Sequence, residues 1–185
     1  MPLLDPEFLR QRETALQTWF SAQLTDLNMG GQCGLLEAVS GDASFRRYFR
    51  AHTADGPCIL VDAPPPHENC GPFVKVAALM RQTGVAVPQV LAADLQQGFM
   101  CLEDLGSIQL WTVLKAWQSQ EQPLSADALY GSAFEQLLRI QRLPESAPLP
   151  LYDAPLLQRE MDLFAQWFCE GLLQRSLKVH ARRMM

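Results

Sequence analysis

The spacing of apolar residues changes once along the chain, close to residue 104, and this change constrains the fold more than any other feature. After a leading helix over residues 6–24, whose apolar residues Leu9, Leu16, Phe20 and Leu24 lie one or two turns apart, short apolar runs recur with a period of two between turn residues. Beyond residue 104 the period is that of helices. The predicted strands are residues 35–39, 45–50, 57–63, 90–93 and 99–102. Strands and helices segregated in this way predict an α+β fold with two lobes, the first a small antiparallel sheet with a helix beginning near Pro72.

The domain boundaries follow from the same pattern. We expect an N-terminal lobe over residues 1–103, a hinge over 104–106, helices over 107–173 and a basic tail over 174–185. Asp153 is the predicted N-cap of the last helix. The tail carries four basic residues and no acid, unlike the acidic remainder of the chain.

Composition argues against several classes of protein. A hydrophobic fraction of 48% with four Trp indicates a packed globular chain, and a net charge of −5 argues against general binding to nucleic acid or to a membrane surface. Five cysteines without a C-x-x-C pair indicate free thiols in a reducing compartment, and three histidines without ligand spacing argue against zinc. Because the first residues include acids and arginines, and no run reaches membrane-spanning length, the expected location is the cytoplasm.

The stretch SGDASFRRYFR, residues 40–50, is the first candidate site. Small turn residues let a backbone approach a phosphate closely, and here they are Gly41, Asp42, Ala43 and Ser44. Strand alternation places Arg47 on one face, and Arg46, Tyr48 and Arg50 on the other, so one or two arginines can lie beneath a polyphosphate. By itself the loop fits an ordinary hairpin with solvated arginines better, because a single glycine is a weak signature.

The stretch FMCLEDLGS, residues 99–107, is the second candidate. An apolar strand ends in Glu103, Asp104 and Leu105 where strands give way to helices. Such a hinge between lobes can present backbone groups to a planar base. The alternative is a strand followed by a polar turn that caps a helix.

Asp62, within LVDAPPP, is the third candidate. It stands at a strand end among apolar residues, so it either faces a cleft or is a loop-facing carboxylate before a proline turn. The sequence alone does not separate these alternatives.

The order of these stretches is more specific than any of them. The loop and strand are followed by VDAPP, by CGPF at a helix start, by VPQVLAADLQQGFMCLEDLG and by LPLYDAPLLQREMDLFAQWF. From about residue 6 to about residue 172 the chain resembles the aminoglycoside phosphotransferase-like family, whose fold is that of the protein kinases. More narrowly, it is similar to the bacterial cell-wall kinases that phosphorylate the anomeric hydroxyl of N-acetylmuramate and N-acetylglucosamine in peptidoglycan recycling.

The resemblance implies roles for the candidate residues, with ATP as the cofactor and an amino sugar as the other partner. Residues 41–44 with Arg46 would cover the ATP phosphates, and residues 103–105 would contact adenine. Most kinase-like proteins carry a lysine where this chain has Asp62, so the phosphate contact of that lysine would come from Arg46 or Arg47. No acid is clearly placed on the helix after Asp62 to form the usual lysine–glutamate pair.

The motif that the family uses for transfer, H-x-D-x-x-x-x-N, is absent, since none of His52, His67 and His180 begins it. The family's Mg²⁺ ligands are also missing, so no catalytic or metal-binding residue is assigned. We therefore expect a truncated or frame-shifted chain that is inactive alone, with apolar faces on the helices of residues 108–173 exposed for association. The alternatives are a nucleotide-binding regulatory pseudo-kinase that acts through a partner, and a fragment without function.

Overall fold

The computed structural model describes residues 5–27, 29–30, 34–39, 44–118, 126–144 and 149–175. The chain divides into two compact units, Met1–Ala147 and Pro148–Met185. The strands are β1 Glu37–Val39, β2 Arg47–Thr53, β3 Gly56–Asp62, β4 Val90–Asp94 and β5 Phe99–Glu103. The helices are α1 Pro6–Asp26, α2 Gly71–Gln82, α3 Leu110–Gln118, α4 Ala126–Gln141 and α5 Ala154–Leu163, and a π-helical segment, Phe164–Leu172, continues α5.

The five strands form one sheet in the order β1-β2-β3-β5-β4, with every neighbouring pair antiparallel. Helix α2 lies between β3 and β4 along the chain. In the sheet, β4 lies at the far edge and β5 lies beside β3. An antiparallel sheet with helices confirms the predicted α+β class.

Helix α1 covers one face of this sheet. Asp5 caps it by accepting a hydrogen bond from the Glu7 N–H at 3.3 Å, and Leu16, Phe20 and Leu24 are buried at roughly one-turn intervals. They pack against the strand residues that point to the same face, which are Phe49, Ala51, Cys58, Leu60, Phe99 and Cys101. Each large apolar side chain buried in this way contributes about 1.5–3 kcal/mol. The predicted helix and its buried stripe are confirmed.

Helix α2 covers part of the other face. Phe73 and Val74 pack against a buried cluster that includes Val61, Met100 and Leu102. The helix ends at Gln82, and Gly84 follows with a φ of +79°, the left-handed conformation expected of a glycine at a helix C-terminus. The predicted start of this helix near Pro72 is confirmed.

The turn between β4 and β5 depends on Gly98, whose φ is +74°. Its N–H donates to Asp94 O at 2.8 Å, and its carbonyl accepts from the Ala63 N–H at 2.8 Å. A Cβ at this position would lie 2.0 Å from Ala63 O. The close approach of two backbone segments therefore requires glycine here.

Two contacts tie α4 to the segment that follows α2. The side-chain oxygen of Gln136 accepts the Ala86 N–H at 2.8 Å, and Arg139 donates to the Gly84 carbonyl. The outer side of α4 is less covered, since Phe134 is 60% exposed. The side chain of Trp117, in α3, is not among the described ones.

The second unit begins with the predicted cap, since Asp153 Oδ1 accepts the Leu156 N–H at 3.0 Å. After α5, the π-helical segment extends to Leu172. Apolar side chains along the two are largely exposed, at Leu157, Met161, Phe164 and Phe168. Apolar helix faces exposed to solvent, as expected from the sequence, are therefore present.

Two further expectations concern the thiols and the membrane. The described cysteines are buried free thiols, at Cys58, Cys70, Cys101 and Cys169, and Cys33 lies outside the described residues. Among the helices that the structure describes, none combines the length and apolar character needed to cross a bilayer.

Candidate functional site

A cavity of about 460 Å³ opens on the sheet face opposite α1, where β5 runs into the segment 104–106. Its walls are largely apolar side chains from the sheet, together with the backbone after β5. The lining residues are Val39, Tyr48, Arg50, Ile59, Pro88, Leu102, Glu103, Asp104, Leu105 and Gly106. Strand alternation explains the set, because Tyr48 and Arg50 point to this face while Arg47 and Phe49 point towards α1. The predicted division of the two sides of β2 is confirmed.

The three predicted hinge residues all line this cavity. Glu103 is held by Gln89, whose carbonyl accepts the Glu103 N–H at 2.9 Å and whose N–H donates to Glu103 Oε2 at 3.0 Å. Leu105 is different, since its side chain is 68% exposed and its backbone N–H and C=O have no hydrogen-bond partner among the described residues. Leu105 therefore leaves one donor and one acceptor beside the cavity without a partner in the described part of the chain.

Asp104 holds an arginine of the opposite wall. Arg50 Nε lies 2.5 Å from Asp104 Oδ2, and Arg50 Nη2 lies 3.1 Å from Oδ1. The same Oδ1 accepts the Gly106 N–H at 2.8 Å. The hydrogen bond from Arg50 lowers the pKa of Asp104, with the Gly106 N–H adding to the effect, and Asp104 in turn raises the pKa of Arg50. Sequence reasoning did not single out Arg50, which is separated from Asp104 by 54 positions.

The end of the predicted phosphate loop is fixed by a residue that the sequence did not reveal as functional, Glu68. One oxygen of this carboxylate accepts the Phe45 N–H at 3.0 Å, and the other accepts Arg46 Nε at 3.0 Å. Ser44 Oγ accepts the Arg46 N–H at 3.1 Å. Burial opposes the charge of Arg46, but hydrogen bonding to Tyr48 and the adjacent Glu68 raise its pKa above the ordinary value. Gly41, Asp42 and Ala43, the rest of the predicted loop, lie outside the described residues.

Arg46 lines a second cavity, of about 360 Å³, beside α2. Apolar residues of α2 and the following segment form most of its wall. Pro88 lines this cavity and also the first cavity, where β5 runs into the segment 104–106, which is called the hinge cavity below. The two cavities therefore adjoin. Arg46 and the hinge residues therefore border one continuous region of the same sheet face.

The structure does not bring Arg47 and Asp62 to this region. Asp62 is fully buried and faces α1, where it accepts hydrogen bonds from Arg47 Nη2 at 2.6 Å and Arg12 Nη2 at 2.5 Å. Arg47 also donates to the Leu9 carbonyl at 2.9 Å. Residues 47 and 62 are direct partners in the β2–β3 register, so both side chains point to the α1 face. Asp62 thus does not face the cleft, which was one of the two alternatives. The sequence did not predict that Arg12 on α1 binds Asp62.

Within the described ranges, no group of three or more His, Cys, Asp or Glu residues is placed to hold a metal ion. These residues therefore do not fit a Mg²⁺ site formed by the protein alone.

Comparison with known proteins adds to this geometry. Kinases named N-acetylmuramate/N-acetylglucosamine kinase are similar to the chain: that of Pseudomonas putida is 44% identical over 158 residues, and that of Pseudomonas aeruginosa 45% identical over 158 residues. A kinase of the same name from Neisseria meningitidis serogroup B is 34% identical over 175 residues. The matches cover 83%, 83% and 94% of this chain but 44%, 45% and 49% of the relatives, so the chain spans about half the length of the curated relatives it matches.

The sequence model described as the phosphotransferase enzyme family matches residues 36–183, which is most of the chain and includes both cavities. The predicted resemblance is thereby confirmed. The chain belongs to the phosphotransferase enzyme family.

Proposed function

We propose that this chain is the ATP-binding portion of a sugar kinase whose acceptor is the anomeric hydroxyl of N-acetylmuramate or N-acetylglucosamine. The observation that carries the proposal is the hinge cavity, which combines apolar walls with backbone groups of Leu105 that have no partner among the residues described. The names of the similar kinases support the choice of acceptor. Residues 1–103 would form the nucleotide lobe, residues 104–106 the hinge, residues 107–173 part of a helical lobe, and residues 174–185 a basic tail.

The hinge cavity suits the adenosine part of ATP. Its volume of about 460 Å³ lies within the roughly 300–1,000 Å³ typical of small-molecule sites. Val39, Ile59 and Leu102 offer apolar surface for a planar base. The edge of adenine carries a donor and an acceptor side by side, which matches the one acceptor and one donor that Leu105 leaves unused. Glu103 and Asp104 flank this edge.

The phosphates would extend towards Arg46. This guanidinium is held through Nε by Glu68, which leaves its other nitrogens to Tyr48 and to a ligand. Residues 41–43 and Ser44 would close over the phosphates, with small residues permitting close backbone contact. We assign no nucleotide contact to Arg47 or Asp62, because their side chains pair on the opposite face of the sheet.

Phosphoryl transfer requires more than nucleotide binding. The acceptor hydroxyl must be oriented by a carboxylate, and the ATP phosphates are neutralised by Mg²⁺ in this chemistry. The sequence contains no H-x-D-x-x-x-x-N, and the described residues offer no ligand cluster for a metal. We therefore propose that this chain binds ATP but does not transfer phosphate by itself.

Calorimetric titration of the purified chain with ATP tests the proposal. We expect saturable binding that is weakened by Arg46→Glu and unchanged by Arg159→Glu, a matched charge reversal on the exposed surface of α5. A folded sample, judged by circular dichroism, without saturable binding would overturn the proposal, whereas an unfolded sample would favour the fragment alternative. Formation of sugar 1-phosphate from ATP and N-acetylmuramate would overturn only the statement that the chain lacks transfer activity.

A further inference from the structure

The carboxylate of Asp104 is engaged on both oxygens although it stands in a surface turn. Oδ2 accepts Arg50 Nε, and Oδ1 accepts both Arg50 Nη2 and the Gly106 N–H. Its side chain is only 4% exposed, and that of Arg50 is 20% exposed. A two-pronged contact between guanidinium and carboxylate fixes geometry as well as distance. Asp104 is thus joined at once to strand β2 and to its own turn.

The contacts of Asp104 restrain Leu105, which lies between Asp104 and Gly106 along the chain. Gly106 has a φ of +88°, and nothing lies within 4 Å of the position that a Cβ would take there. A glycine in open space can adopt many conformations at little cost, so the hydrogen bond to Asp104 is what holds its backbone. Leu105 lies between Asp104 and Gly106, and its N–H and C=O are unpaired within the described part of the chain. The direction of those two groups therefore depends on the carboxylate of Asp104.

The two arginines on the cavity side, Arg46 just before β2 and Arg50 within it, are consequently not equivalent. Arg46 is held through Nε by Glu68, whereas Arg50 presents both Nε and Nη2 to Asp104. Arg50 lies in the hinge cavity, and Arg46 lies in the adjoining cavity beside α2. A ligand that fills both cavities would meet the Arg50–Asp104 pair beside its base and Arg46 beside its anionic end.

We infer that Asp104, clamped by Arg50, is a positioning residue that sets base affinity by holding Leu105, and that Arg50 serves the hinge and not the phosphates. This inference rests on the proposed function, since it concerns how the same cavity recognises its nucleotide. The ligand class is a purine nucleoside or nucleotide, and the residue that touches the base is Leu105 through its backbone.

The test compares three probes in calorimetry: adenosine, ATP and inorganic tripolyphosphate. In Asp104→Asn, which keeps the shape and removes the charge, we expect adenosine and ATP to bind about tenfold more weakly while tripolyphosphate binding is unchanged. Arg50→Gln should give the same pattern. The double variant should lose little more than either single one, because both changes break one contact.

The matched control is Asp55→Asn. Asp55 also accepts a glycine N–H in a turn, from Gly30 at 2.6 Å, and it does not line the hinge cavity. It should leave the affinity for all three probes unchanged. If Asp104→Asn does not fold, Arg50→Lys replaces it, since lysine keeps the charge but cannot form the two-pronged contact. An intermediate loss for adenosine and ATP, with tripolyphosphate binding unchanged, is then expected.

Three outcomes would count against the inference. Unchanged adenosine affinity in the Asp104 and Arg50 variants would overturn the positioning role, and so would an equal loss for tripolyphosphate, which a general loosening of the fold produces. Additive losses in the double variant would show that the two residues act separately. If unaltered folded chain bound neither adenosine nor ATP, the proposed function would fail, and this inference would fail with it.

Discussion

Arg47 and Asp62 meet as direct cross-strand partners on the α1 face of the sheet, with Arg47 Nη2 2.6 Å from Asp62 Oδ2. Arg12, one turn of α1 away from Leu9, donates to the other oxygen of the same carboxylate. Both guanidinium groups also lie over aromatic rings, Arg12 over Phe99 and Arg47 over Phe49. The cluster joins α1 to the sheet and lies apart from the hinge cavity.

Asp62→Asn should therefore destabilise the fold without changing nucleotide affinity. Removing one partner of a buried ion pair leaves uncompensated charge, at a cost of about 3–5 kcal/mol. Urea unfolding measures the loss, and calorimetry with ATP measures the affinity of the folded fraction. The control is Glu13→Gln, because Glu13 lies 3.6 Å from Arg47 Nη1 with a side chain 41% exposed, and such pairs contribute at most about 1 kcal/mol. A selective loss of ATP affinity in Asp62→Asn would restore the cleft-facing role.

Gly98→Ala should be among the most damaging small substitutions in this chain. The new Cβ would lie 2.0 Å from Ala63 O, and the φ of +74° is itself unfavourable for alanine. Gly56→Ala is the matched control, since its φ is +120° and nothing lies within 4 Å of its Cβ position. We expect about 1–3 kcal/mol of destabilisation in the control from the backbone alone, and roughly 1–3 kcal/mol more in Gly98→Ala from the clash. Equal unfolding free energies for the two variants would contradict the close approach.

The stability of the chain should depend on Asp104 only above acidic pH. Arg50 lowers the pKa of Asp104 in the folded chain, so the folded state binds this proton less readily than the unfolded state does. The stabilisation is complete above the unfolded pKa of about 3.9 and is lost as the pH falls through the lower folded value. The unfolding free energies of the unaltered chain and Asp104→Asn should thus differ by a constant amount from pH 7 to about pH 5 and converge below about pH 4. A difference that does not shrink at all as the pH falls below about 4 would argue against the charged pair.

Glu68→Gln should weaken the binding of the phosphates but not of the base. Glu68 fixes Arg46 and the backbone of Phe45, and a neutral amide retains only part of this contact. We expect ATP and tripolyphosphate to bind about two- to tenfold more weakly, which corresponds to roughly 0.5–1.5 kcal/mol. Adenosine affinity should be unchanged. A loss for adenosine and ATP with tripolyphosphate binding unchanged would place the base, not the phosphates, near Arg46.

Periodicity alone was sufficient to predict much of this fold. The spacing of Leu16, Phe20 and Leu24 gave the buried side of α1, and Asp153 gave the start of α5. Glu103, Asp104 and Leu105 were singled out because a strand that ends in acids before helices is a local signal; the structure places them at a cavity, and their role as a hinge stays a prediction. These features depend on neighbours within one or two turns of the chain.

The partners of the arginines could not be predicted in the same way. Arg46, Arg47 and Arg50 bond to acids 22, 15 and 54 positions away, and only the assembled sheet brings them together. Strand alternation predicted which face of the sheet each arginine side chain occupies, but it did not predict which carboxylate each one binds. Glu68 was missed because it precedes α2 in a loop, where no periodic pattern marks it.

The strand that leads into the hinge is β5, and four of its five residues, from Phe99 to Leu102, are buried. It lies inside the sheet, with β3 and β4 on its two sides and packed side chains on both faces. Strands of this kind exchange their amide hydrogens only when the whole domain opens. The amides of β5 should therefore be the slowest in the sheet to exchange, while the edge strand β1 exchanges sooner. Under the proposed function, the edge that would recognise the base extends directly from the part of the molecule that we expect to unfold last.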